Sequence, residues 1–275
     1  MTRYNLHTHS NFDDGKGAPA EYFEEAQKLG LVALGFSAHV PLALKNKWSL
    51  TAESYRAYVA EIKKIKAHNN SNTKVYLGLE LDYAPGIAEN FKHWIDTTPL
   101  DFAIGSVHLV TNPENGLTMT IDGSAENFFN GLDKCFENNP RKLVEAFYHQ
   151  SIEMARTQTF NIIGHLDKVK MHLGFKWLDQ TENWYQKLVN KLIEAIKDNG
   201  IIVELNPRGV YTAKTNEYFP SDFILERCLN RGMGVMVNTD AHQPGQVQSH
   251  FEEATNRLKE IGFKKVKTPF FETEI

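Results

Sequence analysis

Tyr4-Asn5-Leu6-His7-Thr8-His9-Ser10 reads as one short strand carrying two histidines at i and i+2. Successive strand side chains point to opposite faces, so His7 and His9 share one face while Leu6 and Thr8 share the other. Two imidazoles side by side on a rigid strand are a natural start to a metal site. They are equally what ordinary polar residues near a terminus look like, and the rest of the chain decides between these readings.

Working outward, the same change from apolar to polar recurs along the chain. Strands are expected at residues 31–39, 74–81, 101–108, 160–167, 201–206 and 234–240, each apolar at its start and polar at its end. The polar ends are His39, Glu80, His108, His165, Glu204 with Asn206, and Asp240 with His242 just beyond. Helices are expected between them, at residues 20–29 (closed by Gly30), 52–68, 87–95, 140–157, 184–198, 221–230 and 250–260. Pro140 suits the first position of its helix. Residues 112–139 are expected as an extended loop with a helix at 125–135, and 264–267 as a last short strand. Strands alternating with helices imply parallel pairing through right-handed crossovers. Seven or eight such repeats fit a closed βα barrel better than an open doubly wound sheet. In a barrel the strand C-termini converge on one rim, where active sites sit.

Composition bounds the class. The chain has 275 residues, 41% of them hydrophobic, which suits one large domain or two small ones, and with no internal repeat, low-complexity tract or Gly/Ser linker a single domain is expected. No run of 18 or more apolar residues offers a transmembrane helix, and the first 30 residues lack a basic start followed by an apolar run, so no signal peptide is expected. Cys135 and Cys228 have no metal-type spacing and read as reduced thiols of a cytoplasmic protein. The net charge is −4 and the basic residues form no long block, so neither nucleic-acid nor membrane binding is suggested.

The rim then collects His7, His9, His39, His108, His165 and His242, together with Glu80, Asp240 and one of Asp13 or Asp14. The other histidines, His68, His93, His149, His172 and His250, fall on helices or in a loop and do not fit. Imidazole and carboxylate together suit Zn²⁺, Fe²⁺ or Mn²⁺, with no thiolate to favour a closed structural site. The ligands outnumber what one ion can use, so two or three ions are implied, with Glu80 as the bridge. Such a cluster acidifies a bound water and clamps a developing oxyanion, as hydrolysis of a phosphate ester requires.

His7-Thr8-His9, Asp14-Gly15, His39, Gly78-Leu79-Glu80, Ser106-Val107-His108, Gly164-His165-Leu166-Asp167 and Asp240-Ala241-His242 resemble, in order and in strand placement, the polymerase-and-histidinol-phosphatase (PHP) family. The resemblance implies an α/β fold, a single-domain distorted (β/α)7 barrel over residues 1–275 with a trinuclear metal centre at the C-terminal strand ends. By motif position His7, His9, Glu80 and Asp240 hold the first ion, Glu80, His108 and His165 the second, and Asp14, His39 and His242 the third. Zn²⁺ is the first expectation for all three. Within the family, Gly78-Leu79-Glu80-Leu81-Asp82-Tyr83 and Gly105-Ser106-Val107-His108 are most similar to histidinol-phosphate phosphatases. That implies hydrolysis of L-histidinol phosphate to L-histidinol and phosphate, in histidine biosynthesis, through a metal-bridging hydroxide. Asp240 and His242 are the expected catalytic residues. The chain departs from the pattern at Asp13-Asp14, where some members carry a His, and at Ala38, where many carry Asp.

Phosphate also calls for fixed positive charge, best supplied by the arginine fork. Arg208, just past the sixth strand, is the first candidate and Arg156, ending the helix before the fifth strand, the second. Asp82, Tyr83 and the loop from Pro41 to Trp48 are candidates for the cationic amino alcohol. The competing readings are another phosphoesterase of the same family acting on sugar or nucleotide phosphates or on phosphodiesters, an amidohydrolase using Lys168 as a carboxylated bridge, and a non-catalytic metal-binding domain. Nothing in the sequence fixes the oligomeric state.

Overall fold

Several helices start where the sequence supplies a side-chain cap. Thr51 accepts from Ser54 N ahead of one helix, and Asn139 accepts from Lys142 N ahead of another that has Pro140 in its first turn. The computed structural model describes residues 2–275. In chain order these are β1 (Tyr4–Asn5), α1 (Pro19–Lys28), β2 (Ala33–Phe36), α2 (Ala52–His68), β3 (Lys74–Asp82), α3 (Phe91–Thr97), β4 (Phe102–Ser106), β5 (Leu109–Thr111) and β6 (Thr118–Thr120). They continue with α4 (Ala125–Phe136), α5 (Pro140–Thr157), β7 (Ile162–Ile163), α6 (Gly174–Trp177), α7 (Asn183–Asp198), β8 (Ile202–Leu205), α8 (Arg208–Tyr211), α9 (Asp222–Asn230), β9 (Val235–Val237), α10 (Phe251–Ile261), β10 (Lys265–Lys267) and β11 (Glu272–Glu274).

Seven strands pair in the order β1-β2-β3-β4-β7-β8-β9, every pair parallel. β2, β4, β8 and β9 are buried along their whole length, as strands covered on both faces should be. The barrel closes between β1 and β9 through a seam with little regular ladder. There His9 N donates to Ala241 O at 2.9 Å and Ala241 N to His7 O at 3.0 Å, around a parallel Thr8–Ala241 bridge. Side-chain amides complete the seam: Leu6 N donates to Asn238 Oδ1 at 2.9 Å and Thr239 N to Asn5 Oδ1 at 2.8 Å. This is why the strand expected over residues 4–10 is regular only at Tyr4–Asn5, and it is one source of the barrel's distortion.

The motif glycines make room for aromatic rings. A Cβ on Gly78 would lie 2.5 Å from the Phe102 ring, one on Gly35 2.8 Å from the same ring, and one on Gly105 2.8 Å from Phe160. Side chains at these positions would displace rings packed against the strands that carry Glu80 and His108.

Two expectations need correction. Residues 112–139 are not an extended loop before their helix: β5 and β6 form an antiparallel hairpin with Leu109 opposite Thr120. Its turn is held by Asn112, whose N donates to Leu117 O at 2.8 Å and whose O accepts from Gly116 N at 2.8 Å. Asn-Pro-Glu-Asn-Gly is a turn signal between two short apolar runs. The helix expected at 87–95 lies at Phe91–Thr97, because Asn90 is its cap. No helix among the described residues is long and apolar enough to cross a membrane.

Candidate metal centre

The C-terminal ends of the barrel strands deliver the side chains. His7 and His9 lie just beyond β1, His39 beyond β2, Glu80 and Asp82 within β3, His108 beyond β4, His165 beyond β7, Glu204 in β8, and Asp240 and His242 beyond β9. His165 and Asp240 take left-handed backbone, with φ of 22° and 52°. For residues other than glycine that conformation carries strain, which the surrounding structure sustains in order to aim both side chains inward.

Three of the imidazoles are oriented by a carboxylate at Nδ1. His7 Nδ1 lies 2.7 Å from Glu204 Oε1, His9 Nδ1 2.7 Å from Asp13 Oδ2, and His108 Nδ1 2.7 Å from Asp82 Oδ1. A carboxylate at Nδ1 holds the proton there and turns the Nε2 lone pair inward. His242 follows the same logic with its Nδ1 3.1 Å from Asp240 O. The inward atoms then meet only one another. His7 Nε2, His9 Nε2, His39 Nδ1, Glu80 Oε2 and Asp240 Oδ1 are all buried and have no hydrogen-bond partner among the described residues. His108 Nε2 and His165 Nε2 sit 3.1 Å apart, and Glu80 Oε1 is 3.0 Å from His165 Nε2.

Buried lone pairs facing lone pairs are costly unless a cation lies among them. The spacings fit that purpose. Glu80 Oε2 is 3.2 Å from His7 Nε2, 3.5 Å from His9 Nε2 and 3.2 Å from His39 Nδ1, and Asp240 Oδ1 is 3.4 Å from His9 Nε2. Ligand atoms placed tetrahedrally around an ion at zinc-type bond lengths stand roughly 3.3–3.6 Å apart. Among the described residues, four overlapping groups bring their ligand atoms within 4.8 Å of one another: His9, Asp14, His39 and His242; His7, His9 and Asp240; His7, Glu80 and His165; and His39, Glu80 and His108. Glu80 belongs to two of them, with His7 and His39 near its Oε2 and His108 and His165 near its Oε1.

Electrostatics reinforces the reading. Burial opposes ionisation of Glu80, yet the His7, His39 and His108 imidazoles hold its carboxyl well below the usual range. Burial likewise opposes Asp240, and His7 and Arg208 hold it far down. Burial alone would lower His39, but Glu80 and Asp82 lift it to about 10. His165 goes the other way, pushed down to about 4 by burial and by Lys168. The carboxylates thus draw protons onto the imidazoles, which is the charge a metal ion would supply instead.

The structure separates Asp13 from Asp14. Asp13 takes His9 Nδ1, Ser10 N at 2.9 Å and His39 N at 3.1 Å, so its oxygens are committed to holding the loop. Asp14 Oδ1 instead lies 3.1 Å from His242 Nε2, within the His9–His39–His242 group. Gly15 permits this turn: a Cβ there would lie 2.5 Å from the His9 carbonyl carbon.

A cavity of about 330 Å³ opens over these residues, bordered by Asp14, His39, Glu80, His108, Asp240 and His242 and further by Trp48, Asp122, Lys168, Arg208 and Lys214. Arg208 is where the sequence suggested, its Nη1 donating to Asp240 O at 2.8 Å. Arg156 is not brought to the site. It is exposed on the last turn of α5, and a helix in a βα repeat ends at the N-terminal end of the next strand, opposite the rim. Of the residues suggested for the amino alcohol, Asp82 is occupied with His108, Tyr83 is buried away from the cavity, and Trp48 does border it, edge-on to His39 at 4.9 Å. His68, His93 and His149 are exposed on helices, and His172 and His250 lie outside the cluster. Sequence reasoning missed the orienting role of Glu204, although it is a strand-end carboxylate, and missed Asp122 and Lys214 altogether.

Three comparisons bear on this geometry. The sequence model of the PHP domain matches residues 5–208. The chain is 27% identical over 257 residues to a Deinococcus radiodurans protein named "Probable histidinol-phosphatase", covering 91% of this chain and 90% of that one. It is 25% identical over 255 residues to the Bacillus subtilis histidinol-phosphatase, covering 86% and 91%. Its fold resembles the Lactococcus lactis histidinol phosphate phosphatase crystallised with zinc, L-histidinol and phosphate, with a TM-score of 0.74, 20% identity and coverage of 99% of both chains.

Proposed function

The chain belongs to the PHP domain family, and from that membership we propose that it is a divalent-metal-dependent phosphomonoesterase that hydrolyses L-histidinol phosphate to L-histidinol and phosphate. The observation that carries the reading is the set of buried, partnerless nitrogen and oxygen atoms converging on Glu80 and Asp240 at ligand spacing. The substrate comes from the relatives, which are similar over nearly their whole length.

In this proposal His7, His9, Glu80 and Asp240 would hold one ion, Glu80, His108 and His165 a second, and Asp14, His39 and His242 a third, with zinc the first choice and Fe²⁺ or Mn²⁺ the alternatives. What supports the second set is the approach of His108 Nε2 and His165 Nε2 to the same Glu80 oxygen, at 3.6 and 3.0 Å. The chemistry such ions supply when bound is Lewis acidity, acidifying a water and neutralising phosphoryl oxygens.

The chain's own groups do the rest. Arg208 borders the cavity with its guanidinium fixed by the Asp240 carbonyl, so it can meet phosphate without first being ordered. Asp240 holds Oδ1 toward His7 and His9 in the cluster while its Oδ2 accepts from Asn206 Nδ2 at 3.2 Å, which fixes the carboxylate plane for orienting the nucleophile. Both ring nitrogens of His242 are engaged, Nδ1 with Asp240 O and Nε2 near Asp14, and Asp240 is held as a carboxylate, so we assign Asp240 to accept a hydrogen bond from the nucleophile rather than to donate a proton. The buried, unpaired cysteines fit a cytoplasmic enzyme.

The test is a panel assay with zinc or manganese: L-histidinol phosphate, sugar and nucleotide monophosphates, a phosphodiester and an amide. Preference for L-histidinol phosphate supports the proposal, and preference for a diester or an amide contradicts it.

A further inference from the structure

Arg208 is not the only cation at the cavity. Lys168 lies in the turn after β7, five residues past Ile163, its backbone N donating to His165 O at 2.8 Å, and the residue is 8% exposed. Lys168 borders the same cavity as Arg208, Glu80 and His108. Asp122, from the turn after the β5–β6 hairpin, lies with its Oδ2 3.0 Å from Lys168 Nζ and 3.7 Å from His108 Nε2. An ammonium has three N–H donors, and among the described residues Asp122 supplies the one carboxylate within 4.0 Å of it.

A pair serving only to latch the hairpin to the barrel would account for the burial. It would not account for the company the lysine keeps. Lys214 borders the cavity as well; burial pushes its ammonium down, Asp122 opposes this, and Lys168 and Arg208 add to the fall. Lys168 and Arg208 repel the Lys214 ammonium there, while, against burial, the carboxylates of Asp122, Asp240 and Glu80 hold the Lys168 ammonium up. A small dianion with several strong acceptor oxygens offsets that repulsion.

We propose that Lys168 is a second phosphate-contacting side chain beside Arg208 on the rims of the neighbouring strands β7 and β8, and that Asp122 is the residue that positions it. This rests on the proposed phosphatase reading. It gives Lys168 the part that the sequence suggested for Arg156, and it makes the hairpin a component of the phosphate site. An ammonium is a point charge that needs a fixed anchor, whereas a guanidinium carries its geometry in its own plane.

The test uses the zinc-loaded full chain as wild type, Lys168→Met, Lys168→Arg and Asp122→Asn. Inorganic phosphate binding is measured by calorimetry, beside KM and kcat for L-histidinol phosphate, zinc content and melting temperature. Lys168→Met is expected to weaken phosphate binding about tenfold or more, the scale of one hydrogen bond to a charged group, and to raise KM with zinc content retained. Lys168→Arg should recover most of the loss, and Asp122→Asn should raise KM to a smaller extent. Phosphate affinity of Lys168→Met within about twofold of wild type overturns the proposal. So does a loss that Lys168→Arg fails to recover and that tracks lost zinc, since that marks a structural latch. A wild type that binds phosphate through Lys168 but does not hydrolyse L-histidinol phosphate refutes the proposed substrate and supports this assignment, because binding is read without turnover.

Discussion

Glu204 Oε1 lies 2.7 Å from His7 Nδ1, while His7 Nε2 lies 3.2 Å from Glu80 Oε2, so one imidazole joins a carboxylate outside the cluster to the carboxylate at its centre. Glu204 also accepts at Oε2 from His165 N at 3.0 Å and from Asn206 Nδ2 at 3.0 Å, so a single buried side chain fixes two of the histidines. Glu204→Gln keeps the shape but puts a neutral amide where a carboxylate held the His7 proton. Zinc affinity is expected to fall about 10- to 100-fold, as for other partners of metal-bound histidine. Competition with a chelator of known affinity checks this; unchanged affinity would show that Glu204 is only a packing residue.

Glu80 is the one side chain shared by the proposed first and second sets. Glu80→Gln and His9→Ala should each lose bound metal and phosphatase activity together, measured by elemental analysis and phosphate release. A variant with full metal content and full activity would remove that residue from the centre.

Arg208→Ala should lower kcat/KM by about two orders of magnitude, the scale of a charge-assisted contact to phosphate. Arg156→Ala should leave kcat/KM unchanged, because Arg156 is exposed on the far side of the barrel. Steady-state kinetics of the two variants side by side tests both statements.

The metal-free protein has its own pH profile. His39 is raised from 6.5 to about 10 in the folded chain, although burial opposes this, so it contributes stability below 6.5 that is lost as pH rises toward 10. His165 is lowered from 6.5 to about 4 by burial and Lys168, so it contributes stability above 6.5 that is lost as pH falls toward 4. The melting temperature of chelator-stripped protein should therefore peak near pH 6.5 and fall on both sides. Zinc should flatten the alkaline side, since it replaces the proton that His39 otherwise carries. Calorimetry across the pH range, with and without zinc, decides the matter; a monotonic metal-free profile would contradict it.

The strand-end residues were legible in the sequence because each strand changes from apolar to polar on its own, and barrel topology does the converging. His7, His39, Glu80, His108, His165 and Asp240 needed no long-range information. What was not legible depended on contacts between distant segments. Asp122 lay in a stretch read as loop, and only the β5–β6 pairing carries it to His108. Asp13 and Asp14 are neighbours in sequence, and what separates them is that Asp13 bonds Ser10 N and His39 N. Arg156 was misread because a residue close to a strand in sequence can sit at the wrong end of it.

Phosphate release from L-histidinol phosphate by the zinc-loaded chain, before and after chelation and beside a simple sugar phosphate, tests the central claim most directly. The expected result is turnover that strongly favours L-histidinol phosphate, disappears on chelation and returns with zinc. Equal turnover of the two phosphates, or turnover that survives complete removal of metal, would contradict it.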